Sequence, residues 1–314
     1  LIKPGVMNRY EQILTSRQAI PCSGLFPKAK TVTKLNMLEA ALIERLKRKG
    51  ELFQVMLKKF KNDWEQATYM WLARGFGFKI NAENMMQLAG VVPLRYLRKS
   101  ANLFEWEALL YGASGLLDFL DNNGYADELR REFVFLEQKF QLNTTLSKNQ
   151  WHFKGTRPSN FPTVRIAQFA AFIYSHQNLF SLFTDFNGVK GLEATLKLKQ
   201  SGYWQVHTNF GDIANKKTIG LSKTAVRGLM INTIAPLLVA YADYKEDHEI
   251  IDKALNVLMS IPPEENHIIR KWKELGWNVN SSFDTQGLIE IYNQYCSPKK
   301  CMKCKIGAEL VNPS

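Results

Sequence analysis

Cysteine is scarce in this sequence, with four in 314 residues. That number cannot build a disulfide scaffold, so a reducing cytoplasm is the expected compartment. Long apolar runs are missing too. None reaches the roughly 18 residues that span a bilayer. The longest, GLMINTIAPLLVAYADY, is interrupted by Asn232 and Pro236 and reads as a buried core helix. No membrane partner is expected. The opening residues LIKPGVMNRY lack the apolar stretch of a secretory signal. Because the chain starts with Leu1 rather than Met, it reads as a piece of something longer.

Catalytic motifs are equally sparse. There is no Walker loop, no G-x-S-x-G, no H-E-x-x-H and no G-x-G-x-x-G. GFGFKIN lacks the spacing and the Lys-Ser/Thr end of a phosphate loop. The five histidines are scattered, and His207 in YWQVHTNF is the most site-like of them. No nucleophile stands beside a legible base, so no catalytic residue is assigned. Strand signals are few: GYWQVHTNFG alternates a little between glycines. No fixed-period repeat points to a solenoid.

What is present is helix. In TVTKLNMLEAALIERLKRK, Leu35, Leu38, Ala41, Leu42 and Leu46 recur at spacings of three and four, a helical stripe. Gly50 then marks a break before ELFQVMLKKFK. NDWEQATYMWLARGFGF has Asn62 or Asp63 as N-cap and ends near Gly75 and Gly77. NAENMMQLAGVVPL starts at Asn81 and stops at Pro93. NLFEWEALLYGASGLLDFLD and DELRREFVFLEQKF form a helical pair around the turn Asn122–Gly124. Further helices are expected near 162–176, 222–242, 246–260, 264–275 and 285–296. With 46% apolar residues, the chain has ample material for a core. The expected architecture is an all-α multi-helix array in one or two lobes with a cysteine-rich C-terminal tail. It divides into an N-terminal segment 1–30 carrying Cys22, a basic lobe 31–150, a second lobe 151–295 and the tail 296–314.

Charge is unevenly placed within the net +12. Residues 1–100 hold 18 Lys/Arg against 7 Asp/Glu, while residues 101–150 hold 4 against 8. A basic first third suits a polyanionic partner, nucleic acid foremost, and is also what a solvated lysine-rich face looks like.

Three of the four cysteines crowd into YCSPKKCMKCKIG. Cys296, Cys301 and Cys304 follow C-x4-C-x2-C, and the C-x2-C step lets two thiolates turn onto one centre. Tetrahedral zinc and a [4Fe–4S] cluster both want a fourth ligand. The only other thiol is Cys22, 274 positions before Cys296. A shared centre would pin the two ends together; in a zinc site, a His or a water would stand in for Cys22. Lys299, Lys300, Lys303 and Lys305 would offset thiolate charge. The alternative is three exposed tail thiols with Cys22 as a small core residue.

WHFKGTRPSNFPTVRIAQFAAFI carries a second constellation. Pro162 suits a first helical turn, and Ser159 or Asn160 would cap it. Arg165 then lies in that turn, with Arg157 and Lys154 just before it. Free N–H groups, the positive dipole end and two arginines make an anion pocket of Lys154, Arg157, Asn160 and Arg165. Trp151, Phe153 and Phe161 would stack on bases. The alternative is a packed elbow whose arginines pair with acids.

Taken in order, IPC, NDWEQATYMWLARGFGFKINAENM, NLFEWEALLYG, TRPSNFPTVRIAQFAAF, GYWQVHTNFG, INTIAPLLVAYADY, IIRKWKELGW and YCSPKKCMKCKIG resemble the bacterial family called domain of unknown function 2851. The resemblance runs from about Tyr10 to Gly307, and R-P-x-N-F-P-x-x-R and the cysteine tail are its most specific parts. Thr208 departs from it, standing where an aromatic is expected after His207. The resemblance implies longer members, whose added N-terminal part is β-rich and similar to a PD-(D/E)XK nuclease core. This chain would be the helical portion that follows. Some nucleases of that group use a cysteine-bound cluster as a staple, and some helical DNA glycosylases end in a similar cysteine loop. The expected function is a nucleic-acid-binding helical module with a structural iron–sulfur or zinc site. The other readings are a protein-interaction scaffold with structural zinc and a small-anion-binding protein.

Overall fold

The computed structural model describes residues 5–118, 124–142 and 146–313. The turn expected at Asn122 and Asn123 lies outside them. The fold is all-α, and the described residues add one short hairpin, in which His207–Asn209 pairs antiparallel with Asp212–Ile213. Local signals set many helix starts. Trp64–Phe76 begins at Asp63, whose carboxylate accepts the Gln66 N–H at 3.0 Å. Ala82–Val91 follows Asn81, and Pro93 precedes the short helix Leu94–Leu97.

The chain forms two compact units, Leu1–Leu52 with Ala235–Ser314, and Phe53–Ile234. Each therefore differs from the sequential lobes expected at 31–150 and 151–295. Thr31–Lys59 runs as one helix straight through Gly50. The expected break is absent for a packing reason. A Cβ at Gly50 would stand 3.3 Å from the Ala240 backbone nitrogen and 3.4 Å from the Pro236 carbonyl, so glycine here permits close helix approach. Leu38, Ala41, Leu42 and Leu46 are buried as the stripe requires, whereas Leu35 faces solvent. Glu290, fully buried on Ser282–Ile291, binds Arg45 at 3.2 Å and Arg48 at 2.6 Å. Arg45 is thereby committed inside its own unit, while Arg48 stays half exposed.

Ser282–Ile291 passes directly into a π-helical turn, Tyr292–Cys296, where the Ser297 N–H reaches back to the Tyr292 carbonyl at 2.8 Å. After it come the 3-10 turn Cys301–Lys303 and the helix Lys305–Val311. The latter escapes sequence reading because it is only seven residues long. Val6–Thr15 escapes because it is short and buries only Ile13 outright, although Val6, Tyr10 and Ile13 share the face that meets the core.

In the second unit, Trp64–Phe76, Leu103–Ala113 and Pro162–Tyr174 bury most of their length. GYWQVHTNFG turns out to be a helical turn, Gly202–Val206, leading into the first hairpin strand. Among the described residues one helix, Lys223–Lys245, is long and apolar enough to cross a membrane, and 72% of its apolar window is buried. It contains the π-helical turn Met230–Ile234.

Candidate functional site

Cys22 sits in a tight turn, where the Leu25 N–H donates to its carbonyl at 2.9 Å. Phe26 anchors that turn, with ring centroids 5.7 Å from Trp272 and 5.8 Å from Trp277. The tail comes to this turn through long-range bonds that sequence spacing does not reveal. Lys299 donates to the Leu14 carbonyl at 2.8 Å and the Ser16 carbonyl at 3.0 Å. Arg9 Nε donates to the Val311 carbonyl at 3.0 Å. Tyr295 donates to Glu44 at 2.7 Å, and burial and that carboxylate raise its phenol to about 12. Lys299 thus fastens one end of the chain to the other as well as facing thiols.

All four cysteines are buried as free thiols in one apolar cluster with Ile13, Phe26, Trp272 and Ile306. Burial pushes Cys22 up to about 12, and the charges of Cys304 and Cys301 add to the rise. Cys296 is raised by burial first, then by Cys22, Cys304 and Cys301. Cys22 therefore acts on Cys296 across the 274 positions between them, and Cys301 and Cys304 act on both. Cys301 is raised by burial and Cys304, and Lys299 opposes the shift. Backbone N–H groups of Gly307 and Ile306 lower Cys304 against its burial. Such amides favour a thiolate over a thiol. Gly307 is demanded by geometry, since a Cβ there would lie 2.2 Å from the Cys301 carbonyl oxygen. The donor chemistry thus fits a thiolate-bound centre. Among the described residues, however, no group of three or more His, Cys, Asp or Glu side chains is arranged to hold a single metal ion.

The second constellation is partly assembled. Pro162 opens the helix Pro162–Tyr174 as expected, but neither Ser159 nor Asn160 caps it. Asn160 Oδ1 instead accepts from Arg165 Nη2 at 2.6 Å, and Arg165 Nη1 donates to Gln168 Oε1 at 2.7 Å. Lys154 and Arg157 are exposed on the preceding turn. Trp151 is unavailable for base stacking, because it is buried and its indole N–H donates to the Ser114 carbonyl at 2.8 Å. Phe153 and Phe161 pack edge to face, 5.2 Å apart. A surface groove beside His176 and Asp185 contains none of the predicted residues.

Sequence reading missed Glu107, which is fully buried and bonded by the Tyr125 hydroxyl. Tyr125 stacks on Tyr203 at 4.1 Å, and Tyr203 stacks on His207 at 3.8 Å. His207, the most site-like histidine, has its Nδ1 at 2.9 Å from the Tyr203 carbonyl. Burial raises Glu107 from 4.5 to about 7, against the opposing pull of Tyr125, Ser201 and Trp204. An acid raised on folding gives its full stability below about pH 4.5 and loses it as pH rises through about 7. Glu107→Gln should therefore flatten that decline. The difference between wild type and variant should change by on the order of 3 kcal/mol from pH 4.5 to pH 8, read by urea unfolding. Parallel pH curves would show that Glu107 keeps an ordinary carboxyl.

Comparison with protein-family models gives a match to "Protein of unknown function (DUF2851)" over residues 1–267. The match takes in Cys22 and the Arg157–Arg165 segment but ends before Cys296, short of the span to Gly307 expected from the resemblance. It gives no support to the nuclease-like N-terminal segment that the resemblance implied. No curated protein and no solved structure matches the chain.

Proposed function

The chain belongs to the DUF2851 family, and we propose that it is a nucleic-acid-binding helical module whose two ends are tied by a structural [4Fe–4S] cluster on Cys22, Cys296, Cys301 and Cys304. One observation carries this reading: four buried thiols, drawn from opposite ends of the sequence, share one core. One zinc ion needs all its sulfurs about 2.3 Å from a single point. A cubane binds each cysteine to a different iron, so its four sulfurs stand further apart. Four cysteine ligands leave no open position for a substrate, so the centre's role is to hold the fold.

The nucleic-acid partner is supported by the basic first third, where Lys47, Lys58 and Lys59 are exposed. Arg45 drops out of that surface through Glu290. Protein purified without air should contain iron and acid-labile sulfide and absorb broadly in the visible. It should retard DNA or RNA in a gel at low salt, with retardation fading steeply as salt rises. Stoichiometric zinc would replace the cluster with a plain knuckle, and full stability with no metal at all would remove the centre. Metal-loaded protein that retards neither DNA nor RNA at low salt would remove the nucleic-acid partner.

A further inference from the structure

Arg165 is an anomaly. It is 6% exposed, yet among the described residues no carboxylate pairs with it. Its terminal nitrogens meet only the neutral oxygens of Asn160 and Gln168, and its Nε has no partner. A buried cation without an anion is costly, and burial alone draws this guanidinium down to about 10. The surroundings hold the charge in place. Gln168 Nε2 donates to the Gly220 carbonyl at 2.8 Å, which turns Gln168 Oε1 toward Arg165. The Phe78 ring lies 4.3 Å from the guanidinium carbon and shields that face from water. Phe78 holds a left-handed backbone, φ 52°, which a bulky residue adopts only under constraint.

Through Asn160, Arg165 reaches the turn before Pro162–Tyr174. Asn160 is exposed there and gives its Oδ1 to Arg165, which keeps its amide N–H2 as the donor end. Arg157 and Lys154 lie exposed on the same stretch, and the positive end of a 13-residue helix begins at Pro162. We propose that Arg165, Asn160 and Arg157 form a binding site for a phosphate monoester, with Arg165 as the fixed charge beneath it. A dianion matches this surplus of positive charge better than a carboxylate or an internal phosphodiester. Its tetrahedral oxygens can accept from the Asn160 amide and from Arg157, while Arg165 supplies its charge from below. The site is built entirely within residues 53–234, so it does not depend on the cysteine centre.

The test uses the full chain with inorganic phosphate, and with oligonucleotides ending in either a 5′-phosphate or a 5′-hydroxyl. Phosphate should raise the melting temperature where chloride at equal ionic strength does not. Arg157→Ala should weaken the phosphate response at least tenfold, and Arg165→Gln should abolish it. If Arg165→Gln fails to fold, Asn160→Asp takes its place, because an added carboxylate on this exposed turn should repel phosphate while leaving the core intact. At least tenfold tighter binding of the phosphorylated end would identify a nucleic-acid terminus as the source. Equal binding of both oligonucleotides, with the phosphate response retained, would identify a free small phosphate ester. No phosphate-specific stabilisation, or a response unchanged in Arg157→Ala and in whichever of the other two variants folds, would overturn the site. Loss of nucleic-acid retardation with the phosphate response intact would count against the nucleic-acid partner alone.

Discussion

The Glu290→Ala variant is expected to lose about 3–5 kcal/mol of stability. Glu290 is completely buried and serves two arginines at once. Arg48 is half exposed and can turn to water. Arg45 is only 15% exposed on its side chain and cannot. Removing the carboxylate leaves Arg45 with the Gln286 oxygen, 2.8 Å from its Nε, and with Glu264 nearby. Burial raises the Glu264 carboxyl, and Arg45 and Lys49 hold it down, so Glu264 is a poor substitute for a full ion pair. The cost should come from the stranded charge rather than from the lost bond. Replacing both partners, Arg45→Met with Glu290→Met, should therefore recover most of it, because apolar side chains of similar volume often replace a buried pair without penalty. Urea unfolding of the two variants at equal metal content measures this. A loss below about 1 kcal/mol in Glu290→Ala would mean that Arg45 finds water after all.

Cys22→Ser should have an effect of similar size for a different reason. Serine fits the space but is a hard oxygen ligand, poorly suited to iron–sulfur or thiolate zinc chemistry. If the centre ties the ends, the variant loses a cross-link across 274 positions. By the loop-closure entropy of long cross-links, that is roughly 5–6 kcal/mol, before any metal–ligand energy is added. The expected result is loss of bound metal and a melting temperature lower by ten degrees or more. Protease cleavage should become faster within residues 5–30, the segment that Cys22 anchors. Met37→Leu, at a neighbouring core position, should keep both metal and stability. Full metal retention in Cys22→Ser would leave the tail trio as the whole site and would remove Cys22 from it.

Local chemistry made much of the fold legible. Asp63 announces a helix start, Pro93 a stop, and the Leu38–Leu46 spacing a buried stripe. The cysteine trio stands out for the same reason, since its members lie within nine residues. What the sequence hid is long-range. Arg45 and Arg48 look like a solvated basic run because Glu290 lies more than 240 positions away. Gly50 looks like a helix breaker because its neighbour, the Ala240 backbone, belongs to a distant segment. Glu107 looks like part of an ordinary acidic face until Leu103–Ala113 is buried on nearly every side. Arg165 was legible as an anion ligand, but its lack of any acidic partner appears only in three dimensions.

The turn at Tyr292–Cys296 sets a rule for how this chain can vary in length. A π turn holds one residue more than the α turn it replaces, and each residue rotates a helix by about 100°. Losing a single codon between Tyr292 and Tyr295 would let the ordinary ladder close and swing Cys296 off its present heading, though every remaining amino acid stayed the same. Descendants of this gene can exchange side chains here more freely than they can gain or lose one.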